Sequence, residues 1–160
     1  MKIGIISDTH EEIEKVRKVI SFLKEKECEE LIHCGDLCAP FMIEELAKFD
    51  GRVHCILGNV GDEWMTSERA KTFGVDFKRD LLELEISGKK IAVHHYPEIA
   101  ESLAKSCKYD IVFYGHNHIK DKKKIGDCWL VNPGEILGWK GNPTYAIYDT
   151  ELNEVEHFDL

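Results

Sequence analysis

The sequence predicts an α/β domain in which two mixed β-sheets pack face to face with flanking helices. Three observations predict it. Short apolar strands alternate with helical segments as far as Thr72, the pattern of strands crossed over by helices. After Gly74 the pattern changes to antiparallel hairpins. Strand after strand then ends in a polar or glycine-polar group, the place where open α/β sheets collect their sites. A chain of 160 residues suits one domain with a full core, spanning residues 1–160.

Ile3, Ile5 and Ile6 form a short apolar run that reads as a buried strand, stopping at Ser7-Asp8-Thr9-His10. Residues two apart on an extended backbone point to one side, so Asp8 and His10 are expected to project together from the strand end. Taken alone, Asp-x-His reads more simply as a helix cap and a surface histidine; the further polar strand ends change that reading. Ile13, Val16, Val19, Ile20 and Leu23 recur at helical spacing over Glu11–Lys26. Leu31–His33 is a strand ending in Cys34-Gly35-Asp36, and Pro40 opens a helix through Phe49. Arg52–Leu57 is the third strand, ending in Gly58-Asn59, and Glu63–Thr72 is a short helix.

Leu81–Ile86 alternates with Glu83 and Glu85, the period of a half-exposed strand, and turns at Ser87-Gly88 into Lys90–Val93. That strand ends in His94-His95-Tyr96-Pro97. A helix over Glu98–Ser106 leads to the apolar strand Ile111–Tyr114 and then to Gly115-His116-Asn117-His118. Ile119–Ile125 pairs with Cys128–Val131 about Gly126-Asp127, before Asn132-Pro133-Gly134. Thr144–Asp149 and Val155–Asp159 close the chain as a hairpin. A glycine precedes Asp36, Asn59 and His116, where it is expected to let the backbone turn sharply.

Composition narrows the function classes. The chain is 43% apolar and 32% charged with a formal net charge of -9, so duplex nucleic acid is not an expected partner. The basic run Lys120–Lys124 reads as a solvated hairpin tip. No stretch approaches the ~18 apolar residues that span a bilayer, so no membrane contact is expected. The chain enters its first strand at once, which makes the cytoplasm the expected location. The six cysteines form no Cys-x-x-Cys pair and read as reduced fillers; Cys34 and Cys38 flank Asp36, a weak signal for zinc. His33, His54 and His157 read as hydrogen-bonded strand residues. Trp64, Trp129 and Trp139 can stack a substrate base, but packing is the expected use of at least two of them.

Asp8, His10, Asp36, Asn59, His94 or His95, His116 and His118 all fall at predicted strand ends. Carboxylate, imidazole and amide donors suit a hard or borderline divalent cation. They outnumber the roughly four protein ligands of one tetrahedral ion and fit two ions sharing a carboxylate, an arrangement that clamps both oxygens in phosphoryl displacement.

Asp8-Thr-His10, Gly35-Asp36, Gly58-Asn59, His94-His95 and Gly115-His116-Asn-His118, in this order, resemble the calcineurin-like metallophosphoesterase superfamily. Within it, Asn132-Pro-Gly134 and the short chain resemble the small YfcE-type phosphodiesterases. The resemblance implies a single metallophosphoesterase domain holding two divalent ions, with manganese or nickel foremost and iron or zinc as others. It implies a first ion on Asp8, His10, Asp36 and His118, and a second on Asp36, Asn59, one of His94 and His95, and His116. Asp36 would bridge, and Asn59 would also hold the substrate side. Counting without gaps from Gly88 favours His95, and a longer loop would favour His94. The implied reaction is hydrolysis of a small phosphodiester by in-line attack of a metal-bridging hydroxide, with Asp36 and Asn59 central to catalysis. A phosphomonoesterase on the same donors, and a non-catalytic scaffold of the same fold, are the alternatives, and association into a homo-oligomer stays open. Three departures stand out. Tyr96 replaces the glycine that usually follows the ligand histidine. Val60 stands where many members carry a proton-donating histidine, which favours leaving groups of low pKa. Glu135 stands where the subfamily often has serine.

Overall fold

A computed structural model describes all 160 residues. In chain order the elements are β1 (Lys2–Ile6), α1 (Ile13–Glu25), β2 (Glu30–His33), α2 (Met42–Leu46), β3 (Arg52–Ile56), α3 (Glu63–Phe73), β4 (Asp76–Lys78) and β5 (Leu81–Ile86). There follow β6 (Lys89–His94), α4 (Pro97–Lys105), β7 (Ile111–Phe113), β8 (Asp121–Ile125), β9 (Cys128–Asn132), β10 (Thr144–Asp149) and β11 (Glu154–Asp159). One sheet has six strands in the order β11-β10-β1-β2-β3-β4, the other five in the order β5-β6-β7-β9-β8.

The layers follow from which faces are apolar. Ile3, Ile5 and Ile32 of the first sheet meet Ile91, Val93, Ile111 and Phe113 of the second in a buried core between the sheets. The opposite face of the first sheet packs on α1 and α2 through Ile6, Leu31, Val16, Val19, Leu23 and Ile43. The opposite face of the second sheet takes α4 through Ala100 and Ala104. Helix α1 has no side-chain cap at its N-terminus, so its apolar stripe holds it; each buried Val, Ile or Leu contributes about 1.5–3 kcal/mol. Helix α3 is the reverse case. It buries only Thr66 and Ala70, and its ends are fixed by Asp62, whose Oδ1 accepts the Met65 N–H at 2.7 Å, and by left-handed Gly74.

Parallel pairing governs where the site falls. β1, β2, β3 and β4 are mutually parallel, as are β6, β7 and β9. The carboxyl ends of two parallel sets therefore meet at one rim of the sandwich. No helix is long and apolar enough to cross a membrane.

Several elements differ from expectation. The second helix is Met42–Leu46 alone. β4 was not expected; its three residues carry one apolar side chain, Phe77, and it forms because β3 offers a free edge. The basic run is not a hairpin tip but edge strand β8, with Lys122 and Lys124 over the Trp129 ring. Lysines on an edge strand discourage pairing with another chain.

Candidate metal centre

Asp8 follows β1, Asp36 follows β2, Asn59 follows β3, His95 follows β6, and His116 and His118 follow β7. The loops that carry them are strapped together by backbone hydrogen bonds continuing beyond the strands. Asp8 N–H donates to Gly35 O at 3.0 Å, His10 N–H to Asp36 O at 2.9 Å, and Asp36 N–H to Leu57 O at 2.9 Å. Gly115 N–H donates to His95 O at 3.1 Å and ties in the second sheet.

The backbone does not project Asp8 and His10 in the expected way. Neither is extended: their φ angles are 50° and 46°. Asp36 and Cys38 repeat this with 60° and 65°, and His116 and His118 with 71° and 63°. Non-glycine residues in this left-handed region are strained, and they concentrate at functional sites. The alternation of left-handed residues turns each chain through the rim while keeping both side chains on it. The glycine at 115 also has a different reason from the one expected. It has no positive φ, but a Cβ there would stand 2.0 Å from Ser7 Oγ and 2.6 Å from Asp8 Oδ2.

Two clusters result. In the first, donor atoms of Asp8, His10 and His118 lie within 4.8 Å of one another; in the second, those of Asp36, His95 and His116 do. Asn59 joins the second, its Oδ1 2.8 Å from His116 Nδ1 and 3.0 Å from His95 Nε2. Asp36 groups with the second cluster alone. His95 is buried and its Nε2 stands 3.2 Å from Asp36 Oδ2. His94, the alternative in the expected ligand set, lies outside both clusters; its Nδ1 accepts the Tyr96 N–H at 3.2 Å. Strand β6 runs through His94 without an extra loop residue, and this puts His95 on the rim.

Hydrogen bonds fix which ring nitrogen faces inward. His95 Nδ1 donates to Cys34 O at 2.8 Å and His118 Nδ1 to Glu135 Oε2 at 2.6 Å. Each ring therefore turns its Nε2 towards its cluster. His118 Nε2 then faces Asp8 Oδ1 at 3.4 Å. His10 Nε2 is buried with no hydrogen-bond partner, while its Nδ1 lies 2.9 Å from Cys38 Sγ. Donor atoms for a cation converge here from both sheets. The carboxylate, imidazole and amide donors fit divalent cations, and the orphaned His10 nitrogen is the clearest sign of it.

Burial pushes the Asp8 carboxyl above its ordinary range. Burial also pushes Asp36 upward, but the His95 imidazole and the N–H groups of Val60 and Asn59 outweigh it and leave Asp36 below. Glu135 is likewise raised by burial and brought below its ordinary value by His118 and by N–H groups of Lys140 and Trp139. His33 stays neutral, burial taking it down to about 3. Its Nδ1 accepts the Gly35 N–H and its Nε2 reaches Thr9 Oγ1 at 2.9 Å, a supporting role consistent with a core histidine. Burial, then Asp36, pushes the Cys38 thiol up to about 11, and burial raises Cys34 further. Both thiols stay protonated and neither joins a donor cluster.

Three supporting residues escaped the sequence reading. In the sequence Glu135 is only a departure from the subfamily's serine; in the structure it orients His118. Asn132 knits the β7 and β9 loops, its Nδ2 donating to Gly115 O at 3.0 Å and Asn117 Oδ1 at 2.8 Å. The sole signal for either was its place in the run Asn132–Glu135. Tyr96 packs edge-on against His116, ring centroids 4.8 Å apart. Of the tryptophans, only Trp129 is packed; Trp64 and Trp139 are each 73% exposed.

The family model described as a calcineurin-like phosphoesterase superfamily domain matches residues 1–153. A phosphodiesterase of Methanocaldococcus jannaschii is 35% identical over 165 residues, covering 100% of this chain and 99% of that one. A solved archaeal phosphodiesterase superposes with a TM-score of 0.93 at 34% identity, each chain fully covered. The phosphoesterase Yfce of E. coli shares the fold at a TM-score of 0.71 and 14% identity, with 99% of each chain covered. With the donor clusters at the rim and the match running through nearly all of its length, this chain belongs to the calcineurin-like phosphoesterase superfamily.

Proposed function

We propose that this protein is a metal-dependent phosphodiesterase that cleaves a small phosphodiester where the two donor clusters adjoin. The observation that carries the reading is the convergence of possible cation-donor atoms, Asp36 Oδ2, Asn59 Oδ1 and His95 Nε2 in one cluster and Asp8 and His118 Nε2 beside the orphaned His10 Nε2 in the other. Asp8, His10 and His118 would hold one cation. Asn59, His95 and His116 would hold a second, with Asp36 between. Mn2+ or Ni2+ are the expected ions, and the same donors accept iron or zinc. Divalent ions at such a site supply Lewis acidity and lower the pKa of bound water.

The chain's own residues do the rest. Asp36 Oδ1 is already taken by the N–H groups of Asn59 at 2.7 Å and Val60 at 3.0 Å. Oδ2, 3.2 Å from His95 Nε2, is the oxygen that faces the cluster, and Asp36 would lend its negative charge there to the cations. Asn59 turns its Oδ1 to the two imidazoles and keeps its amide N–H groups for a phosphoryl oxygen. The Val60 side chain is 38% exposed beside Asn59 and has no proton to give. Asp62 is committed to capping α3. Leaving groups that depart without a proton are therefore favoured, which favours activated diesters over alkyl monoesters.

The test is hydrolysis of bis-p-nitrophenyl phosphate and p-nitrophenyl phosphate by protein stripped with chelator and resupplied with single divalent metals. Chelator is expected to abolish turnover and Mn2+ or Ni2+ to restore it, with the diester the faster substrate. Full activity in excess chelator, with no metal by elemental analysis, would overturn the reading. A faster monoester would transfer it to phosphomonoester hydrolysis on the same donors.

A further inference from the structure

A groove of about 330 Å³ leads away from His118, the outer member of the first cluster, and the chemistry above does not use it. His118, Lys120, Lys140, Asn142, Thr144 and, at its far end, Asp159 line it. Trp139 stands beside it, next to Lys140 in the chain, with its ring nearly perpendicular to that of His118, centroids 5.8 Å apart, and most of its surface open. Lone exposed apolar residues are ordinary, but this one is held in place. Leu137 N–H donates to Asp8 O at 3.0 Å, and Lys15 Nζ donates to Leu137 O at 2.5 Å. The Lys140 N–H donates to the Glu135 carboxylate, and Lys140 Nζ to Asn117 O at 3.1 Å. A large flat ring is thus presented at the rim on a loop tied to two ligand loops.

Charge points the same way. In a chain of net charge -9, the Lys140 ammonium pairs with no carboxylate and contacts only a backbone carbonyl. Lys120, further along, is paired with exposed Asp159 at 3.1 Å. An aliphatic diester would call for apolar walls. A flat π-face beside an uncompensated cation suits a planar base that carries a phosphate.

We propose that this groove is a subsite for a nucleotide moiety of the diester substrate, its base stacked on Trp139 and an accompanying phosphate held by Lys140. The inference rests on the phosphodiesterase reading and names its substrate class. The structure supplies a platform ordered in advance, so little conformational freedom is lost when the base arrives.

The test uses three esters with one leaving group, p-nitrophenolate: the methyl phosphodiester, the thymidine 5′-phosphodiester, and the latter carrying a 3′-phosphate. The common leaving group holds the chemistry at phosphorus constant and varies only the retained half. In the parent protein kcat/KM is expected to rise about tenfold from methyl to thymidine, the effect of stacking one base on an open ring. It is expected to rise several-fold more with the 3′-phosphate, and this second step is expected to shrink in high salt. Trp139→Ala is expected to collapse the first ratio and Trp139→Phe to keep most of it. Lys140→Ala is expected to collapse the second and Lys140→Arg to keep it. Ratios near one in a parent protein that hydrolyses all three esters would overturn the inference and leave the phosphodiesterase reading standing. So would a Trp139→Ala variant that slows all three equally. Hydrolysis of none of them would overturn the phosphodiesterase reading. The subsite itself is read separately by NMR titration of metal-free protein with thymidine 3′,5′-bisphosphate and ribose 5-phosphate. The bisphosphate is expected to move the Trp139 indole and Lys140 amide signals, and ribose 5-phosphate only the latter. An unmoved Trp139 signal at millimolar bisphosphate would overturn the subsite.

Discussion

Asp8 and Asp36 stand at the ends of neighbouring parallel strands, both buried and both left-handed. Their surroundings differ. Asp36 Oδ1 receives two backbone N–H groups and its Oδ2 faces His95. Asp8 receives one N–H, from His116, at 3.2–3.3 Å, and faces His118 at 3.4 Å. Burial consequently prevails at Asp8 and raises its carboxyl, whereas the donors prevail at Asp36 and lower it. In the second cluster the chain itself compensates a buried carboxylate with hydrogen-bond donors; in the first it leaves the Asp8 carboxylate largely uncompensated.

The largest effect expected from this difference is on catalysis. Asp36→Asn removes the carboxylate proposed to serve both cations and is expected to lower kcat/KM on the order of 10³-fold, the upper range for removing one charge-stabilising group. The loss is expected to exceed that of Asp8→Asn and to bring bound metal towards one or none per chain. Two metals and near-normal turnover in Asp36→Asn would break the comparison.

An intermediate effect concerns Glu135, whose hydrogen bond to His118 belongs to the first cluster alone. Glu135→Ala is expected to weaken metal binding there about 10–100-fold, the usual cost of removing a carboxylate behind a ligand histidine. Glu135→Gln is expected to recover most of this, because its amide oxygen accepts the same N–H. Chelator competition checks both variants. Equal weakening at the two sites would show that Glu135 acts on the loop as a whole.

The smallest effect is on the stability of metal-free protein. A raised folded-state pKa means that folding favours the protonated acid. The stability Asp8 contributes is thus present at low pH and lost as pH rises through its raised value. Asp36 has the opposite sign: its contribution is present above the ordinary carboxylate range and lost as pH falls through its lowered value. At neutral pH in chelator, Asp8→Asn is expected to raise Tm. Asp36→Asn is expected to lower it by several degrees, since charge-assisted hydrogen bonds contribute about 1–3 kcal/mol. Calorimetry on the two variants is the check, and shifts of the same sign would refute the assignment of their environments.

How legible all this was differs between fold and site. Periodicity marks β1, α1 and β5 because their apolar residues repeat on one face. It does not mark β4, where pairing with β3 decides the conformation rather than any pattern in Asp76-Phe77-Lys78. Nor does it set the length of α2, where the left-handed Cys38 and the turn through Pro40 use up the residues before Met42. In the site, residue types at strand ends are readable because a cation needs donors, whatever the backbone does. The backbone at Asp8 and His10 is not readable from the sequence, since the left-handed alternation depends on hydrogen bonds to Gly35 and Asp36, far along the chain. The use of Glu135 was hidden for the same reason: its partner His118 is set by tertiary contact, not by spacing.

The straps between the loops that carry the donor clusters have a consequence for motion. The amides of Asp8, His10 and Asp36 are bonded as strand amides are, although they lie beyond the strands. They are expected to exchange with deuterated solvent only when the first sheet itself opens, on the slow scale of a core rather than the fast scale of a surface loop. Loading with metal would then require no ordering of the chain. Its rate would be set by how readily the incoming ion sheds its water, so that slowly dehydrating ions enter late but find the same rim already formed.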